Sequence, residues 1–261
     1  MSSEKEKIGM IGIGYVGLVT ATCLAELGNR VVCMDIDAGK IESLKNGEIP
    51  IFEPGLAELI EKNRGRLDFT TALEDVFKQC EIVFIAVDTP PTFTGDADLS
   101  RVFAVMSSLP GMPDGHHILV MKSTVPVGTG LKISSELARQ EMVNIDYVSN
   151  PEFLREGSAI HDFLNPDRVV IGSRDPEIGE GGGEGHAVPV LENELGQFRL
   201  IDGDLPFLQC LDLLGVDIHA DDVVSQFRQA GSGDQADIAD ADHADAGFVC
   251  VTHTGLKDVA S

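Results

Sequence analysis

The sequence predicts an α/β protein built on a doubly wound, mostly parallel sheet over its first two thirds. Three observations lead there. Short continuous apolar runs alternate with segments of helical periodicity, the first run ends in the glycine cluster Gly12-Ile-Gly14-Tyr-Val-Gly17, and the second closes on an acidic residue, Asp35. Continuous apolar runs belong to strands covered on both faces, and right-handed crossovers then place helices on each side.

The elements follow in order. Residues 7–13 are a short apolar strand running into the glycines. Val16, Val19, Cys23 and Leu27 recur at helical spacing, so residues 16–27 form a helix that Gly28 stops. Residues 30–35 are a second buried strand, followed by helices at 37–46 and 54–62. A strand at 67–70 and a short helix at 73–77 come next. Residues 81–87, E-I-V-F-I-A-V, are the cleanest strand of all. A helix at 99–109, a strand at 117–122, a helix at 130–140 and a strand at 145–148 continue the alternation, and residues 168–171 add one more strand.

Composition bounds the function. The chain has 261 residues, 43% hydrophobic and 24% charged, which fits a globular protein with a sizeable core. No apolar run reaches the roughly 18 residues of a membrane span, and residues 1–7 lack the apolar centre of a signal peptide, so a cytoplasmic protein is expected. Five cysteines without metal-ligand spacing are expected to be reduced thiols. A formal net charge of −24 disfavours nucleic acid and anionic membranes as partners. That charge is uneven: residues 1–177 hold 16 Lys and Arg against 27 Asp and Glu, residues 178–261 only 3 against 16. The expected division is a short tail at 1–6, a nucleotide-binding domain at 7–177 and an acidic, Gly/Asp-rich, largely disordered segment at 178–261.

A strand, a glycine cluster and a helix in succession suit a dinucleotide. Gly12 permits a tight turn, Gly14 lets backbone approach a pyrophosphate, and Gly17 lets the helix pack close on the strand. Tyr15 and Val16 open a helix whose free N–H groups and partial positive charge face the phosphates. Asp35 lies 18 residues after Gly17, near the expected spacing of about 20. Its carboxylate accepts hydrogen bonds from both adenosine ribose hydroxyls and repels a 2′-phosphate, so a Rossmann-like domain for NAD rather than NADP is expected. The bland alternative is a glycine turn with an incidental aspartate.

The stretches K-I-G-M-I-G-I-G-Y-V-G-L-V-T (7–20), M-D-I-D-A-G-K-I (34–41), F-E-P-G-L (52–56) and F-I-A-V-D-T-P-P (84–91) are followed by K-S-T-V-P-V-G-T (122–129), N-P-E-F-L-R-E-G (150–157) and N-P-D-R-V-V-I-G (165–172). Together they resemble the UDP-glucose/GDP-mannose dehydrogenase family, most closely its UDP-glucose 6-dehydrogenase branch. The resemblance implies oxidation of a UDP-sugar C6 alcohol to a carboxylate, with two NAD molecules reduced in succession and a cysteine carrying the thiohemiacetal and thioester. By position it implies Lys40 beside Asp35 at the adenosine ribose, and Thr89 and Thr124 lining the cofactor cleft. Glu152 would lie near the nicotinamide and the reacting water, with Thr124 and Glu156 sharing the catalytic role. Glu152, Phe153, Leu154 and Arg155, with Glu156, would form the floor under the UDP-sugar. Asp88 stands where many relatives carry a small residue. Each has a structural alternative: Lys40 as a solvated helix residue, Thr89 and Thr124 as strand-end caps, Glu152 and Arg155 as a mutual pair.

The family's cysteine lies in a G-G-S-C-F-P-K-D segment and its oxyanion lysine on a long central helix. These 261 residues contain neither, and the resemblance stops near residue 177. Cys210 and Cys250 sit among apolar neighbours, which raise a thiol pKa and make poor nucleophiles. The Asp-rich stretch at 234–245 lacks the glycine and terminal glutamate of a calcium loop, so no metal is expected. Residues 178–261 therefore read as foreign to the family, an out-of-frame or fused segment, and the chain is expected to bind NAD without turning over UDP-glucose. Two other functions stay open: a non-catalytic NAD-binding module with an acidic tail for a partner, and a dehydrogenase of GDP-mannose or a UDP-N-acetyl sugar. The oligomeric state is open too, since family members commonly dimerise through the central helix.

Overall fold

The structure, a computed structural model, describes residues 7–109, 115–166, 168–173 and 247–252. It divides into two units, residues 1–166 and 167–261. In the first, six strands lie side by side: β1 (Lys7–Ile11), β2 (Arg30–Met34), β3 (Leu67–Thr70), β4 (Ile82–Ile85), β5 (His117–Met121) and β6 (Ile145–Ser149). Their order is β3-β2-β1-β4-β5-β6 and every neighbouring pair is parallel. This is the doubly wound order, in which the chain steps outward from β1 to β3 and then returns to β4 on the other side of β1. The two halves part beside β1 and β4, and the crevice that forms there is where such sheets bind ligands.

The central strands are buried from end to end. All four residues of β4 are at most 2% exposed, and all five of β5 are buried. The helices are α1 (Tyr15–Glu26), α2 (Ala38–Lys45), α3 (Leu56–Lys62), α4 (Leu73–Gln79), α5 (Ser100–Ser107), α6 (Thr129–Arg139) and α7 (Ala159–Leu164). Helix α1 has no polar face: all nine residues from Gly17 to Ala25 are buried. Such a helix must be covered all round, and α3 and α7 pack on it from outside the sheet. By contrast α6 is amphipathic, burying Thr129, Ile133 and Leu137 at helical spacing.

The predicted elements are present with ends moved by at most two residues, most of them trimmed and some, such as α4 and β6, extended. Strands predicted through Ile13, Asp35, Val87 and Lys122 stop earlier, because their last residues curl into the loops that build the crevice. Two elements were not predicted in the first 166 residues: a 3₁₀ turn at Arg64–Arg66 and α7, too short for a periodic signal although Ala159 and Phe163 bury one face.

In the second unit β7 (Arg168–Ser173) pairs antiparallel with β8 (Gly247–Thr252), Val170 opposite Cys250. The sequence predicts the first of these strands and not the second. The compact first unit ends at 166. Residues 178–246, with Cys210 and the Asp-rich stretch, lie outside the described residues. Among the described residues no helix is long and apolar enough to cross a membrane, and no group of three metal-ligating side chains occurs.

Candidate functional site

The glycine cluster makes the turn from β1 into α1, and two of its glycines are sterically obligatory. Gly12 has φ +90°, a region L side chains avoid, and a Cβ there would lie 2.7 Å from the Ala86 carbonyl oxygen. A Cβ on Gly17 would lie 1.9 Å from the Gly12 carbonyl oxygen, so helix and strand end touch through bare backbone. Gly14 differs: it is the N-cap of α1, makes no side-chain cap, and its bare face looks toward Asp88. The first turn of α1 carries no acidic residue, so no carboxylate within α1 itself competes for an anion at its N-terminus.

Asp35 stands at the end of β2 and is 7% exposed. Its Oδ2 accepts from the Ile13 N–H at 2.9 Å and from Lys40 Nζ at 2.7 Å, and its Oδ1 accepts from the Asp37 N–H at 3.0 Å. Burial pushes this carboxyl upward, but the Lys40 ammonium and the two backbone N–H groups outweigh it and hold the pKa below the usual carboxylate range. The acid is therefore ionised and fixed to the glycine turn. With about four lone-pair sites on a carboxylate and three donors placed, Oδ1 still has capacity for a hydroxyl. Lys40 lies where the resemblance puts it, on α2 beside Asp35, and α2 starts there because Asp37 caps the Lys40 N–H.

Beyond the turn a cleft of about 400 Å³ opens over the C-terminal ends of the central strands. Val16, Thr89, Thr124 and Glu152 line it together, with Asp88, Arg101 and Lys122 also in its wall. The Thr89 hydroxyl donates to the Thr124 carbonyl at 2.7 Å, joining the loops after β4 and β5. Lys122, 5% exposed, donates to Asn150 Oδ1 at 2.9 Å and lies over the Phe163 ring. Arg101 meets Asp88 at 2.6 Å.

Not every predicted residue joins this cleft. Phe153, Leu154, Arg155 and Glu156 are not among its lining residues. The ion-pair partner of Arg155 is Asp162 rather than Glu152, through guanidinium hydrogen bonds at 2.7 and 3.0 Å; the Arg155 backbone N–H also donates to Asp162 at 3.1 Å, while Glu152 accepts from the Leu154 N–H. Tyr15 turns from the cleft and donates its hydroxyl to Glu53 Oε2 at 2.6 Å. Glu53, which nothing in the sequence marks beyond its place in F-E-P-G-L, also accepts from the backbone N–H of Gly157 at 2.8 Å and of Ala159 at 2.9 Å. The three described thiols offer no nucleophile: burial pushes Cys23 and Cys80 up to about 12, and raises Cys33 as well.

The sequence model of the UDP-glucose/GDP-mannose dehydrogenase family, NAD binding domain, matches residues 6–184. The chain belongs to this family. It is 54% identical over 172 residues to the UDP-glucose 6-dehydrogenase TuaD of Bacillus subtilis, an alignment covering 64% of this chain and 37% of that protein. Among solved structures it is similar to a UDP-glucose dehydrogenase from Pyrobaculum islandicum, with 40% identity, a TM-score of 0.63, and coverage of 67% and 42%. A GDP-mannose dehydrogenase from Pseudomonas aeruginosa gives 35% identity and a TM-score of 0.61, with coverage of 66% and 42%. The chain spans about two fifths of the length of the curated relatives it matches. The family's domain takes NAD, and the turn fits a dinucleotide: it is bare of side chains where backbone must close and carries an ionised acid at its edge.

Proposed function

We propose that these residues are the cofactor-binding part of a cytoplasmic, NAD-dependent UDP-glucose 6-dehydrogenase. One observation carries the reading: the buried Asp35 carboxylate, gripped by the Ile13 N–H, is part of the glycine turn itself. Gly12, Gly14 and Gly17 would hold the pyrophosphate, Asp35 and Lys40 the adenosine ribose, and bound NAD supplies the hydride acceptor. Asp35 selects against a 2′-phosphate by charge, and Lys40 moderates that selection because its ammonium sits on the same carboxylate. Thr89, Thr124 and Glu152 face the reacting end of the cleft, where a carboxylate can take a proton from an alcohol or a water. The loop carrying Phe153 to Glu156 forms the platform for the sugar nucleotide. Arg155 stiffens it through Asp162.

The 54% identity to a UDP-glucose 6-dehydrogenase favours UDP-glucose over GDP-mannose as the family substrate. No G-G-S-C-F-P-K-D segment stands in these 261 residues, so NAD binding without turnover is expected of them. Calorimetric titration with NAD, with and without UDP-glucose or GDP-mannose, tests the reading. Asp35→Asn should weaken NAD on the order of tenfold, the scale of one charge-assisted hydrogen bond, and narrow the preference for NAD over NADP. A wild-type protein that ignores NAD overturns the proposal, and steady NADH formation from UDP-glucose overturns the expected lack of turnover.

A further inference from the structure

The wall of the cleft holds one anion in an unexpected place. Asp88, just beyond β4, puts its Oδ1 3.3 Å from where a Cβ of Gly14 would be, so its carboxylate lies on the bare face of the α1 N-cap. That is the end of a 12-residue helix whose cap supplies no side-chain acceptor, and it carries partial positive charge. A dinucleotide pyrophosphate seated at this turn brings its own negative charge to the same place. Like charges brought to one place repel strongly wherever water is partly excluded.

Arg101, in the first turn of α5, resolves the conflict. Its Nη1 is 2.6 Å from Asp88 Oδ2, and it lines the same cleft. The other cation in the described wall, Lys122, is buried and directed to Asn150. Arg101 and Asp88 are both more than half exposed, and an exposed ion pair is weak and easily rearranged. A guanidinium presents five N–H donors in a planar fork, so it can keep a carboxylate on one edge and take a phosphate oxygen on the other.

We propose that Arg101 is a phosphate ligand of the dinucleotide and that Asp88 is its internal competitor, the pair together setting cofactor affinity. This rests on the reading of the cleft as an NAD site. Asp88 holds Arg101 at the mouth of the turn in the free protein, and the incoming pyrophosphate draws part of the guanidinium away from it.

Titration of the full chain at two salt concentrations, with NAD, ADP and adenosine, tests this. Asp88→Ala should bind NAD and ADP about three- to tenfold more tightly, because the resident anion is gone and Arg101 is released. Arg101→Met should bind both about tenfold more weakly and with a flatter salt dependence. Adenosine, which has no phosphate, should bind equally to all variants. Combining the two substitutions should bring NAD affinity back to within about threefold of wild type, since attraction and repulsion are lost together. An Arg101→Met protein with wild-type NAD affinity and salt slope overturns the role of Arg101, and an Asp88→Ala protein that binds NAD more weakly overturns the competition. If neither wild type nor Asp88→Ala binds NAD while circular dichroism shows both folded, the NAD reading fails and this inference falls with it.

Discussion

Glu53 carries three hydrogen bonds on one buried carboxylate, from the Tyr15 hydroxyl and the Gly157 and Ala159 amides. Burial pushes its pKa up, and these donors more than offset that, so it titrates below the ordinary glutamate range. A carboxyl with a folded pKa below its unfolded value stabilises the protein at pH above the unfolded value, about 4.3. The contribution is lost as pH falls through the folded value. Glu53→Gln keeps the shape but replaces one acceptor oxygen with a donor, setting an NH₂ against groups that already donate. We expect it to cost on the order of 2–4 kcal/mol near neutral pH. The acid side of the stability profile should also become shallower than in wild type. Urea titrations between pH 3 and 7 measure both; an unchanged acid slope would remove Glu53 as a contributor. Sequence legibility differs sharply among such residues. Gly12, Gly17 and Asp35 are readable because their job fixes their spacing along one local strand–turn–helix unit. Glu53 is not, because two of its partners lie 104 and 106 residues away and are backbone amides that no side-chain pattern marks.

At the scale of elements, α1 shows what all-round burial demands. A helix enclosed by sheet, α3 and α7 tolerates a polar group only if that group finds a partner. The Thr22 hydroxyl donates to the Leu18 carbonyl at 2.7 Å, whereas the Thr20 hydroxyl, fully buried, has no partner among the described residues. Thr20→Val keeps the branched shape and removes the unsatisfied oxygen, so stability should rise by about 1 kcal/mol. Thermal denaturation of the two proteins side by side decides it, and a fall in Tm would mean the hydroxyl is bonded in solution. The strands were legible as continuous apolar runs because both faces of the central sheet are covered. Their ends were less so: apolarity continues through Ile13, Ala86 and Val87, but the strands stop earlier, and Ala86 and Val87 line the cleft. Helix α7, six residues between two motif stretches, is too short to show a helical period.

Across the whole molecule, the sequence made a doubly wound sheet legible in the first unit, since alternating strands and helices with right-handed crossovers leave few arrangements; the strand order itself comes from the structure. The same reasoning had no purchase on the second unit. An antiparallel partner drawn from far along an acidic stretch follows no local rule, and β8 shows as a short β-branched run only once β7 is known to face it. That pairing has a direct consequence. Residues 168–173 and 247–252 share one antiparallel ladder, so their amides should be protected from hydrogen exchange together. Exchange of either strand at the unprotected rate while the other stays protected would reject the pairing.

The reach of Glu53 also bears on how the protein is made. As the nascent chain leaves the ribosome, the glycine turn and Asp35 emerge close together in sequence, ready to pair locally. The seat for Glu53 exists only once residues 157 and 159 have been synthesised, and contacts of such wide separation close late. During that interval a carboxylate destined for the interior waits in water, and Tyr15 has nothing to hold.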